Sequence, residues 1–516
     1  MDPSYLGGFG PLGFPLWVRV THWFNFLFLT LLARSGLAIL AAHPKLYWNI
    51  HSRPGSEWIR FTRKALPADR MWCSTDEEVE APSWLALPGG KGLGLGRYWH
   101  FFNAMAWPLC GLVYVTLMFA TPQWRRLVPT SWEVLPDAWR TLVAYLQFQQ
   151  PGPHPPYSYD PRLPFNSLQQ LTYFGLIFGL VPFEIATGLA QSPSILGRLP
   201  WVERAFGRGG RQAARSIHFL GLAAFAGFLV VHVFMVAWHG FAAEMDKMVL
   251  GREEATGSWL GAWLGLGIVA AVVAIHAAAN HASARHRRAT HRALAAVVDP
   301  VRRNTLHRLV SVQDYRESEV SPYFRLNGYP PIAAYPQAQG GDQTYERLLG
   351  GGFADYRLEV GGLVKCPLSL SLDDLRAMAR QDQTTLHHCI QGWTSIGRWS
   401  GVPIGEVLDR CRPSPEARYL VFRSFGMHEY TGKPYYKCVA MEIGRHPQAI
   451  LAYELNGERL PLQHGAPLRA RFETKLGFKM VKFLRSIEVV DDYRRVGDGL
   501  GGSREDEQQF DMGAEI

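Results

Sequence analysis

Residues 214–240 read ARSIHFLGLAAFAGFLVVHVFMVAWHG, an apolar run interrupted by His218 and His232. The run is long enough to cross a bilayer, which takes roughly 20 helical residues. The 14 residues between the two histidines return, at about 100° per residue, to nearly the same helix face. A rise of 1.5 Å per residue sets the imidazoles roughly 21 Å apart along that stripe. Histidine inside a span is costly and functional by default, so this stretch poses the question for the whole chain.

Working outward, the spans are expected near residues 17–41, 98–120, 168–190, 213–240 and 258–280. So many long apolar segments do not fit a soluble core. Between the second and third, WEVLPDAWRTLVAYLQFQ (132–149) is too polar to span and amphipathic enough to lie on a membrane surface. PGPHPPYSYDPRLP (151–164) reads as an irregular loop. No basic n-region or A-x-A site precedes the first apolar segment, which is therefore expected to persist as a helix.

Successive spans alternate in direction, which assigns the histidines a depth. His22 and His100 open spans one and two, so they lie near opposite surfaces. Span four runs parallel to span two, putting His218 level with His100 and His232 level with His22. Each pair suits bis-imidazole ligation of a haem between helices, because neutral imidazole nitrogen is a good iron ligand. His239 and His276 have no partner at matching depth and read as interface residues. Arg34 and Glu184 are charges inside spans, suited either to haem propionates or a quinone, or to snorkelling and pairing.

The chain has 516 residues, more than one core usually organises, and its halves differ. Long apolar runs and most of the 17 Trp fall before residue 280, and short apolar and charged stretches alternate after it. We expect an all-α transmembrane domain over 1–280, a basic linker over 281–310 and a soluble domain over 311–516. The linker contains RHRRATHRALAAVVDPVRRNTLHR (285–308), a basic helical stretch expected to hug the headgroups. The soluble part reads as α+β, mainly β. The net charge of +9 clusters beside the apolar segments, which points to membrane lipid as the partner and not to nucleic acid. Six cysteines without a C-x-x-C pair indicate neither a zinc site nor a disulfide scaffold. One of them, Cys389 in HHCIQGWTSIGRWSGVPIGEVL (387–408), follows a strand-like TTLHH and precedes a Gly-rich turn; position alone does not separate a ligand from an inert buried thiol.

Two resemblances extend this reading. RVTHWFN (19–25), HPKLYWN (43–49), GRYWHFF (96–102), LTYFGLIFGLVPFEIATGLAQSP (171–193) and the opening stretch resemble the di-haem cytochrome b subunits of hydrogenases, formate dehydrogenases and thiosulfate reductases, over about residues 12–250. The resemblance implies two b-type haems on His22, His100, His218 and His232, passing electrons between a quinone and a partner subunit. SPYFRLNGYPP (321–331), YRLEVGGLVKCPLSLSLDDLRAM (356–378), the Cys389 block and the stretch 451–493 resemble the sulfite oxidase-like molybdopterin family, especially the branch of the methionine sulfoxide reductase catalytic subunit. That similarity implies Cys389 as the thiolate on molybdenum, a soft donor suited to the metal. It implies His464 and Arg469 (HGAPLR) in the loop holding the pterin, where arginine can bind phosphate bidentately. Met480, Val481 and Lys482 (FKMVK) would supply backbone and lysine contacts, and Ser424 (VFRSF) and Asn327 (RLNGYPP) polar ones. The chain departs from true sulfite oxidases in having IQGWTS where they carry G-N-R-R, which removes a sulfite-binding arginine cluster at that place. His387, His388 and Arg398 flank the cysteine without an assigned role.

The expected function is a membrane-bound molybdenum oxidoreductase. It would exchange electrons between the quinone pool and an oxygen-atom donor or acceptor of S-oxide or N-oxide type, through two b haems. A sulfite dehydrogenase-like enzyme, or a cytochrome whose soluble domain is a cofactor-free docking module, are the alternatives. The expected location is the bacterial inner membrane, multi-pass. Residues 43–97, 191–215 and 280–303 hold 8, 5 and 6 Lys or Arg, against 7 on the other side. That bias, with no twin-arginine pair near the N-terminus, puts the molybdenum domain in the cytoplasm. The usual orientation of the cytochrome relatives would put it outside.

Overall fold

The computed structural model describes residues 14–516 apart from 68–69, 161, 253–257, 306–313, 336–337, 339, 429–430, 511 and 514–516. Five helices in it are long and apolar enough to cross a membrane: Leu16–Ala42, Leu93–Ala120, Ser167–Leu189, Gly210–Leu250 and Leu260–Arg285. A helix satisfies its backbone hydrogen bonds within itself, the condition that hydrocarbon imposes, and a long apolar run therefore specifies it almost unaided. The third helix widens into a π-helical stretch over Gly175–Leu180. The fourth breaks at Gly240 (φ 112°), where the apolar run of the sequence ends.

By internal contacts the chain forms two compact units. One comprises Met1–Arg34, Trp99–Gly188 and Ile217–His281; the other comprises Ser35–Tyr98, Leu189–Ser216 and Ala282–Ile516. The first is helical. Its surface segment, expected at 132–149, is a helix over Val134–Leu146. Trp132, Leu135, Trp139, Leu146 and Phe148 are all exposed there, as in a helix whose apolar side lies among headgroups.

The second unit takes in the segments that follow the first and third spans. The first of these carries a short antiparallel pair, β1 (Lys45–Leu46) with β2 (Ile59–Arg60). The remaining strands are β3 (Leu358–Gly362), β4 (Leu368–Leu370), β5 (Gln381–His388), β6 (Thr394–Pro403), β7 (Tyr419–Met427), β8 (Pro434–Ala440), β9 (Ala449–Leu455), β10 (Glu458–Arg459), β11 (Arg469–Phe472) and β12 (Leu484–Val490). One sheet runs β4-β3-β12-β7-β8 and the other β10-β9-β6-β5, with β11 also on β9. All these pairings are antiparallel except β12 with β3. Leu358, Leu420, Phe422 and Ile487 of the first sheet share one buried cluster with Val402, Leu451, Ala470 and Phe472 of the second, and that cluster is the core. The C-terminal part is thus mainly β with short helices.

The basic stretch after the fifth span is a helix, Arg287–Thr305. The expectation that it hugs headgroups needs correction for one face: His291, Leu294, Val298 and Arg302 are buried in this unit, and Tyr98 packs edge-on against His291 at 4.6 Å. An apolar stripe of that length gains more from protein packing than from an interface. The expected boundary at 310/311 lies outside the described residues.

Candidate functional site

Within the helical unit the four histidines meet in two pairs. The ring centres of His22 and His232 are 6.2 Å apart, and those of His100 and His218 are 6.4 Å apart. An imidazole–iron–imidazole stack has iron–nitrogen bonds of about 2 Å and about 1.1 Å from nitrogen to ring centre, which separates the centres by about 6.2 Å. Both separations therefore match that spacing. His22 Nδ1 is buried without a hydrogen-bond partner among the described residues. The other two histidines are accounted for locally. His276 Nδ1 lies 2.7 Å from Arg34 and Nε2 3.0 Å from Thr30 Oγ1, and His239 stacks on Trp238 beside Tyr145.

In the other unit, Cys389 sits at the tip of the β5–β6 hairpin. Its N–H donates to Trp393 O at 3.0 Å and its carbonyl accepts from Gly392 N at 3.1 Å. Gly392 closes the turn at φ +118°, where an added Cβ would also come within 3.1 Å of the Arg215 guanidinium. The Cys389 thiol is fully buried and donates to Gln391 Oε1 at 3.4 Å. Gln391 in turn donates to Glu78 Oε1 at 2.6 Å and Ser74 O at 3.2 Å, and accepts from Trp393 Nε1 at 3.1 Å. Burial pushes the Cys389 thiol up to about 12, against the pull of the Arg504 and Arg211 cations. A thiolate there calls for a metal.

A partly open cavity lies in the same unit, lined by Asn327, Ser424, Arg469, Met480 and Lys482 among others. Five of the expected pterin residues thus come together from segments up to 155 positions apart. Arg469 is fixed by strand periodicity. In β11, Ala470 and Phe472 face the core while Arg469 and Arg471 share the other face, stacked over Trp399 at 5.0 and 4.1 Å. Glu473 holds Arg471 through two bonds of 2.9 and 2.8 Å, and His387 Nδ1 lies 3.0 Å from its third nitrogen. Arg469 donates to His464 O at 3.1 Å, and its Nε has no hydrogen-bond partner among the described residues. Burial, with Arg471 alongside, pulls Arg469 well below the usual arginine value. A buried guanidinium with an unmet N–H is a site for an anion, and the phosphate of a pterin cofactor fits it. Lys482 reaches Gly328 O and Gln463 O, both at 2.9 Å, and Ser424 Oγ donates to Lys482 O at 2.7 Å.

Two expected residues stand apart from this cavity. Val481 points into the core and its carbonyl accepts from Ala470 N. His464 packs edge-on against Phe324 at 5.5 Å; burial, then Lys482 and Arg469, push it down to about 3. Cys389 is not a lining residue either, but shares a buried cluster with Phe478, which is one. Arg398 pairs with Glu317 at 2.5 Å toward the surface.

Sequence reasoning missed several members. Arg504 and His428 line the cavity, and burial with the Arg504 and Lys437 charges pushes His428 down to about 3. Gln212 Nε2 donates to Gly392 O at 2.7 Å, Arg215 to His43 O and Lys45 O, and the buried Arg325 pairs with Glu77. The segments after spans one and three therefore help build the site. Their length, 55 residues for 43–97, was the available signal, since a mere connection is shorter.

Residues 13–251 match the family model "Prokaryotic cytochrome b561", and residues 351–496 match "Oxidoreductase molybdopterin binding domain". A protein of Azospira oryzae, named as the YedZ1 subunit of a protein-methionine-sulfoxide reductase, is 34% identical over 35% of this chain and 61% of its own length. The protein-methionine-sulfoxide reductase catalytic subunit MsrP of Xanthomonas axonopodis is 34% identical over 26% of this chain and 45% of its own. The chain thus spans less than two thirds of either relative. The solved sulfane dehydrogenase SoxCD of Paracoccus pantotrophus aligns with 28% of this chain and 42% of its own, at 24% identity and a TM-score of 0.25.

Proposed function

Because the chain joins a prokaryotic cytochrome b561 to an oxidoreductase molybdopterin binding domain, making it a multi-pass membrane oxidoreductase, we propose that it exchanges electrons between the quinone pool and an oxygen-atom-transfer substrate through two b-type haems. The substrate class is an S-oxide or N-oxide. The observation that carries the reading is the pairing of the four histidines of the helical unit at 6.2 and 6.4 Å, separations at which each pair could hold a haem iron. His22 and His232 would hold one haem, and His100 and His218 the other. The names of the relatives, methionine sulfoxide reductase components, support the S-oxide class.

In this reading Cys389 is the thiolate ligand of molybdenum. Arg469 and Lys482 bind the pterin's phosphate, Asn327, Ser424 and Met480 line its cavity, and His464 and Val481 support the loop and strand beside it. When bound, the molybdenum cofactor supplies two-electron oxygen-atom exchange. The chain's own part is to hold the sulfur at the tip of the turn through the backbone bonds of Cys389 to Trp393 and Gly392, to exclude water by burial, and to set cations around it. The membrane is the bacterial inner membrane. The Lys and Arg bias supports a cytoplasmic molybdenum domain, although Lys45, Arg211 and Arg215, which contribute to that bias, are buried in the second unit and not available to headgroups.

A sulfite dehydrogenase-like reaction gains one specific observation. Arg504 lines the cavity from a distant segment, supplying a positive charge that IQGWTS directly after Cys389 lacks. A substrate screen against S-oxides, N-oxides and sulfite separates the two reactions. Metal, pterin and haem analysis of detergent-purified wild type beside Cys389→Ala tests the common frame. Wild type is expected to hold one molybdenum and two b haems per chain, and the variant to lose molybdenum alone. Haem without molybdenum or pterin in the wild type would overturn the catalytic reading.

A further inference from the structure

A carboxylate buried in a membrane span is expensive, and Glu184 on the third span is held against a histidine. Its Oε1 lies 3.1 Å from His218 Nδ1. Thr187 Oγ1 is 3.2 Å from the same nitrogen. The hydroxyl proton of Thr187 is already committed to Glu184 O at 3.1 Å, so toward His218 it can only accept. Thr187 therefore accepts from Nδ1, so His218 carries its proton there, with Glu184 Oε1 alongside as a further oxygen toward which that proton can turn. That leaves Nε2 as the nitrogen with a free lone pair.

The helices are shaped for this contact. A Cβ at Gly221, three residues beyond His218, would fall 1.9 Å from Glu184 Oε2, so the glycine is the space the carboxylate occupies. Gly188 lets the third span approach the ring itself, an added Cβ there lying 3.3 Å from His218 Cε1. The other histidine pair has no such contact among the described residues: His22 Nδ1 finds no hydrogen-bond partner there, and the Glu244 carboxylate acts on His232 as a charge without forming an ion pair with it.

We propose that Glu184 is a positioning residue for the haem ligand His218: it fixes the ring's tautomer and, by accepting the Nδ1 proton's hydrogen bond, makes that imidazole the stronger donor. The inference rests on the two-haem reading. A more strongly donating ligand stabilises ferric over ferrous iron, so the haem of His100 and His218 takes the lower midpoint potential of the two. The asymmetry between the pairs gives the chain two haems of distinct potential from otherwise identical ligand sets.

The test is a redox titration of the haem absorbance of the full, detergent-purified chain, with low-temperature electron paramagnetic resonance on the oxidised samples. Wild type is compared with Glu184→Leu and Glu184→Gln. We expect two resolved components in wild type. Glu184→Leu moves the lower one upward toward the other and alters one low-spin signal, while the second component stays in place. Glu184→Gln, which keeps an oxygen acceptor, retains both haems and shows a smaller upward shift, guarding against a Leu variant that fails to assemble. Two haems titrating as in wild type in both variants would overturn the proposal. Wild type without paired low-spin haems would overturn the two-haem reading itself.

Discussion

Glu505 lies on the short C-terminal helix Ser503–Gln508, fully buried, with its two carboxylate oxygens on Lys437 and, at 2.5 Å, on Lys479. Both lysine side chains are also fully buried. Replacing Glu505 by alanine leaves two ammonium groups without their counter-charge, and removing one partner of a buried pair costs about 3–5 kcal/mol. For a region of this size each kcal/mol moves the melting temperature by about 2–4 °C, so thermal unfolding of the soluble region should come about 6–20 °C lower. The consequence reaches the site, because the same segment carries Arg504 into the cavity wall and packs Phe510 on Phe478 at 5.1 Å. Thermal unfolding of the detergent-purified chain, read beside limited proteolysis of the C-terminal segment and molybdenum content, measures both effects. A triple variant, Glu505→Leu with Lys437→Met and Lys479→Met, removes the charges together and is expected to recover most of the loss, since apolar replacement of a buried ion cluster is close to neutral. A single variant melting within about 2 °C of wild type, or a triple variant no better than the single, would refute the reasoning.

Two further outcomes follow from groups around the cavity. His464 has its folded value depressed to about 3, so it takes up a proton only on unfolding; the stability it leaves intact above pH 6.5 is lost as pH falls from there toward 3. At pH 5 this amounts to about 2 kcal/mol, and His464→Asn should flatten the fall in melting temperature between pH 7 and pH 5 by that much; an unchanged slope would contradict it. Gly392→Ala forces a side chain onto a φ of +118° beside Arg215, at a cost of about 1–3 kcal/mol in the turn that carries Cys389. Molybdenum content should drop while the haem spectrum stays that of wild type; undiminished molybdenum would show that the turn tolerates the change.

The helices were legible because each carries its own reason to form. Lipid offers no hydrogen bonds, so an apolar run of sufficient length becomes a helix whatever surrounds it. The depths of the histidines followed from span parity and the 14-residue spacing of His218 and His232. The hairpin at Cys389 and the two-residue alternation of Arg469 and Arg471 were likewise within reach of local pattern. Arg471 was passed over because nothing local separates an arginine that stacks on Trp399 from one on a solvated face.

The sequence alone was enough to mark, among the described residues, five helices long and apolar enough to span, a mainly β C-terminal part, a cysteine on a turn and histidines spaced along the helices. Tertiary structure decided the rest. It made the segments after spans one and three part of the second unit, set Gln391 between Cys389 and Glu78, brought Arg504 to the cavity, and put Glu184 against His218. Those contacts join residues tens to hundreds of positions apart, and hydrogen bonds and ion pairs of that reach leave no period in the sequence. They exist only where the folded backbone brings the partners within about 3 Å, the distance at which a polar group finds its complement.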